Sequence, residues 1–426
     1  MHMALYNGLL WIGMPVLRHH MNKRLAAGKE DPVRFEERFG NSTRPRPEGS
    51  LIWIHAASVG ESISALALVD GLLKKGSDRH ILVTTGTRTS AEIMAVRLPE
   101  RAFHQFVPID MKGAVRRFLE HWQPDLAIWM ESEVWPNLIM ESAARHIPMM
   151  MANARITEKS YNIWRQSFGL SKKLLSNFNF CSAQSETSAV RLRELGANSV
   201  ECLGNLKFAA EPLPFDPAAL ETLSDNIAGR PLWLAASTHR GEEDIILSAH
   251  RQLRETYSNL LTLIVPRHPE RGAEIAALTN EARLHAVQRS QNKPITEETD
   301  VYIADTIGEL GLFYRLSKIV LIGGSLVPNG GQNPLEAARL NCALLHGPHM
   351  DNFTEIMETF DAASASSEAK NTEALAQVVG RYLGDSTLLD EMTARAAGVV
   401  ATGQETLEKT LFRIEELLRE GKNENP

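Results

Sequence analysis

Three stretches of this chain hold residue types that can move a proton or hold an anion. In His55-Ala56-Ala57-Ser58-Val59-Gly60-Glu61-Ser62, Gly60 permits a tight approach and Glu61 falls at or just before the first turn of a helix. The helix dipole there favours a carboxylate, the form a general base must have near neutral pH. An acid that merely stabilises its own helix would look the same. In Glu131-Ser132-Glu133-Val134-Trp135-Pro136-Asn137, two carboxylates stand two residues apart. On an extended backbone they point the same way and would bind a metal, orient an acceptor hydroxyl or hold an Arg. The third stretch is Gly323-Gly324-Ser325-Leu326-Val327-Pro328-Asn329-Gly330-Gly331-Gln332-Asn333-Pro334-Leu335-Glu336. Asn333 suits an N-cap, Pro334 the first helical position and Glu336 the first turn. A helix start beside two glycine pairs is expected to cradle a phosphate or carboxylate on backbone N–H groups. Glycines that serve only the turns are the plainer reading.

Other polar groups also follow apolar runs. Asn153-Ala154-Arg155 leads into a basic segment, residues 155 to 177, where Ile163, Trp164 and Phe168 interleave with Lys159, Arg165, Lys172 and Lys173. Such a surface suits a charged amphiphile, or is simply a solvated helix face. Ser237-Thr238-His239-Arg240-Gly241-Glu242-Glu243 opens a helix with a capping arrangement. In Pro266-Arg267-His268-Pro269-Glu270-Arg271, Arg267 is placed to pair with a phosphate, and His268 suits a structural hydrogen bond as well as catalysis. No Asp-x-Asp and no His-Glu-x-x-His occurs, which argues against metal dependence. No Gly-x-Gly-x-x-Gly follows the first strand, which argues against a dinucleotide oxidoreductase.

The elements that must position these groups alternate. Residues 51–55, 81–84, 126–130, 147–151 and 180–183 read as strands, with helices such as 63–75 and 135–145 between them. After a proline-crowded stretch from Gly204 to Pro217, strands are expected again at 232–236, 260–265, 301–303, 319–322 and 343–345. That pattern is an α/β chain with parallel sheets covered on both faces, whose ligands bind at the carboxyl ends of strands. A length of 426 residues fits two such domains. Their expected bounds are 31–206 and 218–426, joined by a linker at 207–217, with the last helix returning to the first domain and the tail frayed from Gly421.

With 43% hydrophobic and 23% charged residues, the chain is globular rather than disordered. Cys181, Cys202 and Cys342 stand apart, each in an apolar run, which favours buried thiols over disulfides or a zinc site. Residues 1 to 206 hold 25 of the 45 Lys and Arg but 20 of the 52 Asp and Glu, so this part is net +5 and the remainder −12. A basic first part can meet an acidic surface such as anionic lipid. The apolar opening, Met3 to Leu17, runs into Arg18, His19, His20, Lys23 and Arg24. It is shorter than the roughly 20 residues that cross a bilayer, and its charges follow the apolar run instead of preceding it as in a secretory signal. Residues 1–30 are therefore expected to dip into the cytoplasmic leaflet with the basic flank among anionic headgroups. A helix packed on the protein's own core is the alternative.

Taken with Arg34-Phe35-Glu36-Glu37-Arg38-Phe39-Gly40 and Gly204-Asn205-Leu206-Lys207-Phe208, these motifs resemble, nearly end to end, the Kdo transferases of lipopolysaccharide assembly. Those enzymes move 3-deoxy-D-manno-oct-2-ulosonate (Kdo) from its CMP sugar onto a lipid A precursor. The resemblance implies a GT-B glycosyltransferase, with two Rossmann-like domains facing a cleft, at the cytoplasmic face of the inner membrane. It implies an inverting displacement without metal or cofactor, and no nucleic acid partner is expected. Glu61 aligns with the family's base. Ser58, Gly60, Glu131, Glu133, Asn153 and Arg155 fall on the acceptor side. Lys207, Ser237, Thr238, His239, Arg267, His268, Gly324, Ser325 and Asn333 fall on the donor side, where they would hold the CMP phosphate, with Glu336 on the ribose. Ala209 departs from the pattern, in which an Asp follows Lys207-Phe208. Another GT-B enzyme, a UDP-sugar transferase or epimerase, is the alternative.

Overall fold

Short apolar runs, too brief for helices that could bury them, become the strands of two parallel sheets. The computed structural model describes residues 2–424. The chain forms two units: the first takes it up to Ala210 and again from Gly403, and the second is Glu211–Thr402.

In the first unit the strands are β1 (Ser50–His55), β2 (Arg79–Thr85), β3 (Ala102–Phe106), β4 (Leu126–Met130), β5 (Met149–Ala154), β6 (Phe180–Ala183) and β7 (Val200–Cys202). Their order is β3-β2-β1-β4-β5-β6-β7, and every pairing is parallel. The order reverses between β1 and β4, so the loops after these strands diverge and leave room for a ligand. Alternate residues feed two separate cores. Leu51, Trp53, Leu82 and Trp129 pack to one side with the helices Lys112–Trp122 and Pro136–Ala143. Ile52, Ile54, Val83 and Ile128 pack to the other with the helix Val59–Lys75 and with Leu411 and Ile414.

The second unit repeats the plan with β8 (Leu232–Thr238), β9 (Leu261–Pro266), β10 (Ala286–Gln288), β11 (Val301–Ile303), β12 (Ile319–Ile322), β13 (Ala343–His346) and β14 (Ser366–Glu368). Its order is β10-β11-β9-β8-β12-β13-β14, again wholly parallel, with the reversal between β8 and β12.

Four strands escape the apolar-run reading. β7, β10 and β14 are three-residue strands at the sheet margins, where one side needs little apolar cover, and β3 places His104 and Gln105 between Phe103 and Phe106. The strand expected at 147–151 starts later and continues through Ala154, and the tail expected to fray from Gly421 stays helical through Glu424, residues 425 and 426 lying outside the described ones. All three cysteines are free; Cys202 is half-buried rather than buried.

The N-terminal helix, His2–Ala26, packs on the first unit with one side only. Met21 is buried and Tyr6 donates to Asp110 Oδ2 (2.8 Å), whereas Leu5, Leu9, Trp11, Ile12 and Val16 are 62–74% exposed. Among the described residues, no helix is long and apolar enough to cross a membrane.

In the second unit Gly323 N donates to Ala236 O (2.8 Å), drawing the loop after β12 against the end of β8. A Cβ at Gly323 would lie 2.3 Å from Ser237 O, whereas one at Gly60 would meet nothing within 4 Å. Gly323→Ala is therefore expected to lower stability by about 1–3 kcal/mol, the usual range for overpacking. Gly60→Ala, at an open helical position, should leave stability unchanged or slightly raised. Urea unfolding of the full chain measures both.

Candidate functional site

Ser58 is the N-cap of the helix Val59–Lys75. Its Oγ accepts from Glu61 N (3.3 Å) and donates to Glu61 Oε1 (2.7 Å), while Ala57 N donates to Oε2 (2.8 Å). This reciprocal cap fixes the carboxyl at the carboxyl end of β1, beside the sheet reversal. Glu61 is only 7% exposed. Burial pushes its pKa up to about 7; the two hydrogen bonds oppose the shift, and the charges of Glu131 and Glu133 add to it. Here the expectation from the helix dipole is corrected. Burial outweighs the dipole, so Glu61 titrates near neutrality instead of staying ionised throughout.

The acids after β4 do not form the extended pair expected of them. Glu131 has a left-handed backbone (φ 54°), and each carboxylate takes its own partner. Glu131 Oε1 pairs with Lys207 Nζ (2.7 Å), and Glu133 Oε2 accepts from Trp135 Nε1 (2.8 Å). Lys207, expected among the donor-side residues, thus belongs to the first unit. The tether that puts it there is Asn153, also left-handed (φ 56°), whose Oδ1 accepts from Leu206 N (2.9 Å) at the start of the 3-10 turn Leu206–Ala209. Arg155 N donates to Ser132 Oγ (3.1 Å), which ties the loop after β4 to the end of β5. Ala209 is buried in the core, so no carboxylate stands there. The structure therefore brings Ser58, Gly60, Glu61, Glu131, Glu133, Asn153 and Arg155 to one edge of the first sheet, and adds Lys207 and Trp135.

In the second unit, the glycine-rich loop is not the open cradle the sequence suggested. Glu242, wholly buried, receives four backbone N–H groups: His239 (2.8 Å) and Gly324 (2.7 Å) on Oε2, Ser325 (3.0 Å) and Leu326 (2.9 Å) on Oε1. The donors that would have held a phosphate hold an internal carboxylate, which locks the loops after β8 and β12 together. Ser325 Oγ donates to Ile322 O and accepts from Gly347 N (2.8 Å), and Thr238 Oγ1 donates to Glu243 Oε1 (2.8 Å), so both side chains face inward. Asn333 caps the helix Pro334–Ala338, its Oδ1 accepting from Leu335 N (3.1 Å) and its Nδ2 donating to Glu336 Oε1 (3.2 Å). With five residues, that helix is too short for a developed dipole.

What remains outward at this edge is Arg267 beside two imidazoles. His239 and His268 stand edge to face (6.1 Å), and Arg267, anchored by its N–H to Thr238 O (3.0 Å), is exposed. Ser237, left-handed (φ 59°), makes the bulge that ends β8. Gln332 Nε2 donates to His239 Nε2 (3.1 Å), and burial, helped by the charges of His268, Arg267 and Arg271, lowers the His239 pKa. A neutral imidazole amid cations marks a field that favours an anion. Among the described residues, no three His, Cys, Asp or Glu side chains gather as a metal site. Sequence reasoning missed the role of Glu242, although an acid directly after the bend at Gly241 was its visible trace. Glu242→Gln is expected to speed hydrogen exchange of the Gly324, Ser325 and Leu326 amides at least tenfold, roughly the loss of one charge-assisted bond. Unchanged protection would deny that Glu242 holds the loop.

A profile for the family described as 3-deoxy-D-manno-octulosonic-acid transferase (kdotransferase) matches residues 33–210. The 3-deoxy-D-manno-octulosonic acid transferase of Rickettsia bellii is 38% identical over 90% of this chain and 91% of its own. The Haemophilus influenzae protein of the same name is 34% identical over 95% of this chain and 96% of its own. Among solved structures, a putative UDP-N-acetylglucosamine 2-epimerase from Listeria monocytogenes matches with TM-score 0.57 and 13% identity, over 87% of this chain and 97% of that one. That likeness gives the fold, the GT-B type with two doubly wound sheets. The chain belongs to the family of 3-deoxy-D-manno-octulosonic acid (Kdo) transferases, which are glycosyltransferases.

Proposed function

We propose that this protein transfers Kdo from CMP-Kdo to a sugar hydroxyl of a lipid A precursor, lipid IVA, in a single inverting displacement without a metal. The observation that carries the reading is the setting of Glu61, a buried carboxyl near neutral pKa at the sheet reversal. A sugar hydroxyl is a weak nucleophile until a base takes its proton, and a base is most effective when its pKa lies near the working pH. In the step proposed, Glu61 accepts the hydroxyl proton as the oxygen bonds to the anomeric carbon of Kdo. The bond from that carbon to the CMP phosphate breaks, and its electron pair leaves with the phosphate. Displacement from the face opposite the leaving group inverts the centre.

Glu131 and Lys207 lie beside the base, and Lys207 offsets a charge that would otherwise raise Glu61 further. On the donor side, Arg267 receives the charge that develops on the phosphate, a role a cationic side chain can fill, with the His239 and His268 imidazoles beside it as hydrogen-bonding groups. Glu336 and Asn333 are assigned to the ribose. Lys207, paired as it is with Glu131, is assigned to orienting the acceptor side rather than to the phosphate.

We place the protein on the cytoplasmic face of the inner membrane, held there by the exposed apolar side of the helix His2–Ala26 and its basic end. Ile163 (62% exposed) and Phe168 (88%), after β5, supply a second apolar contact amid basic residues. The N-terminal helix lies at the carboxyl edge of the first sheet, where Glu61 stands.

Mass spectrometry of products from CMP-Kdo and a tetra-acylated lipid A precursor, with EDTA present, tests the reaction; competition by UDP in preference to CMP would favour the UDP-sugar alternative. Glu61→Gln should lower turnover by about two to four orders of magnitude while CMP still binds. In the wild type, kcat/KM should fall about tenfold for each pH unit below roughly 7, as Glu61 protonates, and level off above. A Glu61→Gln enzyme of near-normal rate would remove Glu61 from the mechanism.

A further inference from the structure

The first unit holds a cavity of about 580 Å³ between the inner side of the N-terminal helix and the loops after β2, β3 and β4. It is a gap bridged at both ends. At one, Tyr6 reaches Asp110, which caps the helix Pro136–Ala143 through the N–H groups of Asn137 (2.9 Å) and Leu138 (2.8 Å). At the other, Arg24 Nε meets Glu30 Oε1 (2.7 Å), and the same buried carboxylate holds Arg38 (2.9 Å). Arg38 in turn donates to Gly86 O (2.7 Å) after β2, so the otherwise unassigned Arg34–Gly40 motif helps to shape this gap. The walls between the two ends are hydrocarbon: Leu10, Leu17 and Met21 from the helix, Ile109 and Val134 from the loops, and the ring of Trp135. Trp135 is the residue whose indole holds Glu133.

Three features identify the occupant by its chemistry. The cavity size is that of a small-molecule site, and its apolar walls favour hydrocarbon. A peptide would leave its amide groups without partners along those side chains. Two guanidinium groups share one carboxylate at the basic end, with His20 lining the cavity beside them, so a negative group is favoured there. A chain of methylenes attached to an anionic headgroup satisfies all three.

We propose that this groove takes one fatty acyl chain of the acceptor lipid, leading it past Trp135 while its phosphate rests at the basic end. The proposal rests on the lipid acceptor assigned above. The outward side of the helix meets the bilayer and the inward side then takes a chain withdrawn from it, so one helix serves anchoring and acceptor selection.

The test uses the full-length protein in detergent micelles with a tetra-acylated precursor carrying a terminal diazirine on one acyl chain. After irradiation, peptide mass spectrometry is expected to find adducts on Leu17, Met21, Ile109 or Val134. Adducts confined to Leu9, Trp11, Ile12 and Val16, or no adduct, would overturn the groove. In parallel, Ile109→Trp, which plugs it, should raise the KM for the acylated acceptor at least tenfold more than that for a deacylated one, roughly the loss of two buried methylenes. Equal changes on the two acceptors would make Ile109 merely structural and count against the proposal. Cross-linking is read without turnover, so absence of Kdo transfer to either acceptor by the wild type would sink the acceptor reading and leave the groove to be judged by its adducts.

Discussion

The constraint around which the first unit's site is built is the burial of one ionisable carboxyl at the point where a parallel sheet reverses its order. Raising Glu61 from its ordinary 4.5 to about 7 amounts to roughly 3 kcal/mol between its protonated and ionised forms in the folded state. The sign is unfavourable to the ionised form. Folding gains from a protonated Glu61 below about pH 4.5, and that gain fades as pH rises to about 7, above which the cost of burying the charge is complete. Two hydrogen bonds, from Ser58 and Ala57, keep the cost from being larger. A carboxyl left in water would cost nothing and would be too weak a base to compete for a sugar hydroxyl's proton.

The two units use the same topology for opposite electrostatic ends. In the first, the reversal between β1 and β4 gathers three acids and one lysine. In the second, the reversal between β8 and β12 gathers backbone N–H groups, and the protein fills them with its own Glu242. An anion built into the loop sets its shape, and in the proposed reading the external anion is left to the Arg267, His239 and His268 cluster. Rigidity and binding are thereby divided between separate groups, which is how an enzyme keeps donors pre-positioned without relying on the ligand to order them.

Much of this was legible beforehand, and the failures share one cause. The central strands announce themselves because both faces are buried, and Glu61 is marked by a cap closed within four residues. What stayed hidden depends on partners distant in sequence. Lys207 meets Glu131 only because Asn153 bends the chain and grips the turn beyond β7; Glu242 is bonded by residues more than eighty positions away; the groove beside Trp135 is assembled from the N-terminal helix and three loops. The margin strands were missed for a related reason, since a strand covered on one side needs no apolar run. The glycine-rich loop misled because glycine spacing shows where N–H groups can converge, and says nothing about whether the protein has supplied an acceptor of its own.

The N-terminal helix and the candidate base occupy the same edge of the first sheet, so the proposed membrane contact and the proposed proton removal fall within one unit. The proposed mechanism turns on the ionisation of Glu61 in the folded protein. Carboxyl-stretch infrared spectroscopy of the full chain, wild type minus Glu61→Gln, titrated across the neutral range, reads that ionisation directly. The account predicts a single carboxyl changing state near pH 7. A midpoint at the ordinary value near 4.5 would mean that the group is solvated like any surface acid, and the role given to its burial would be lost.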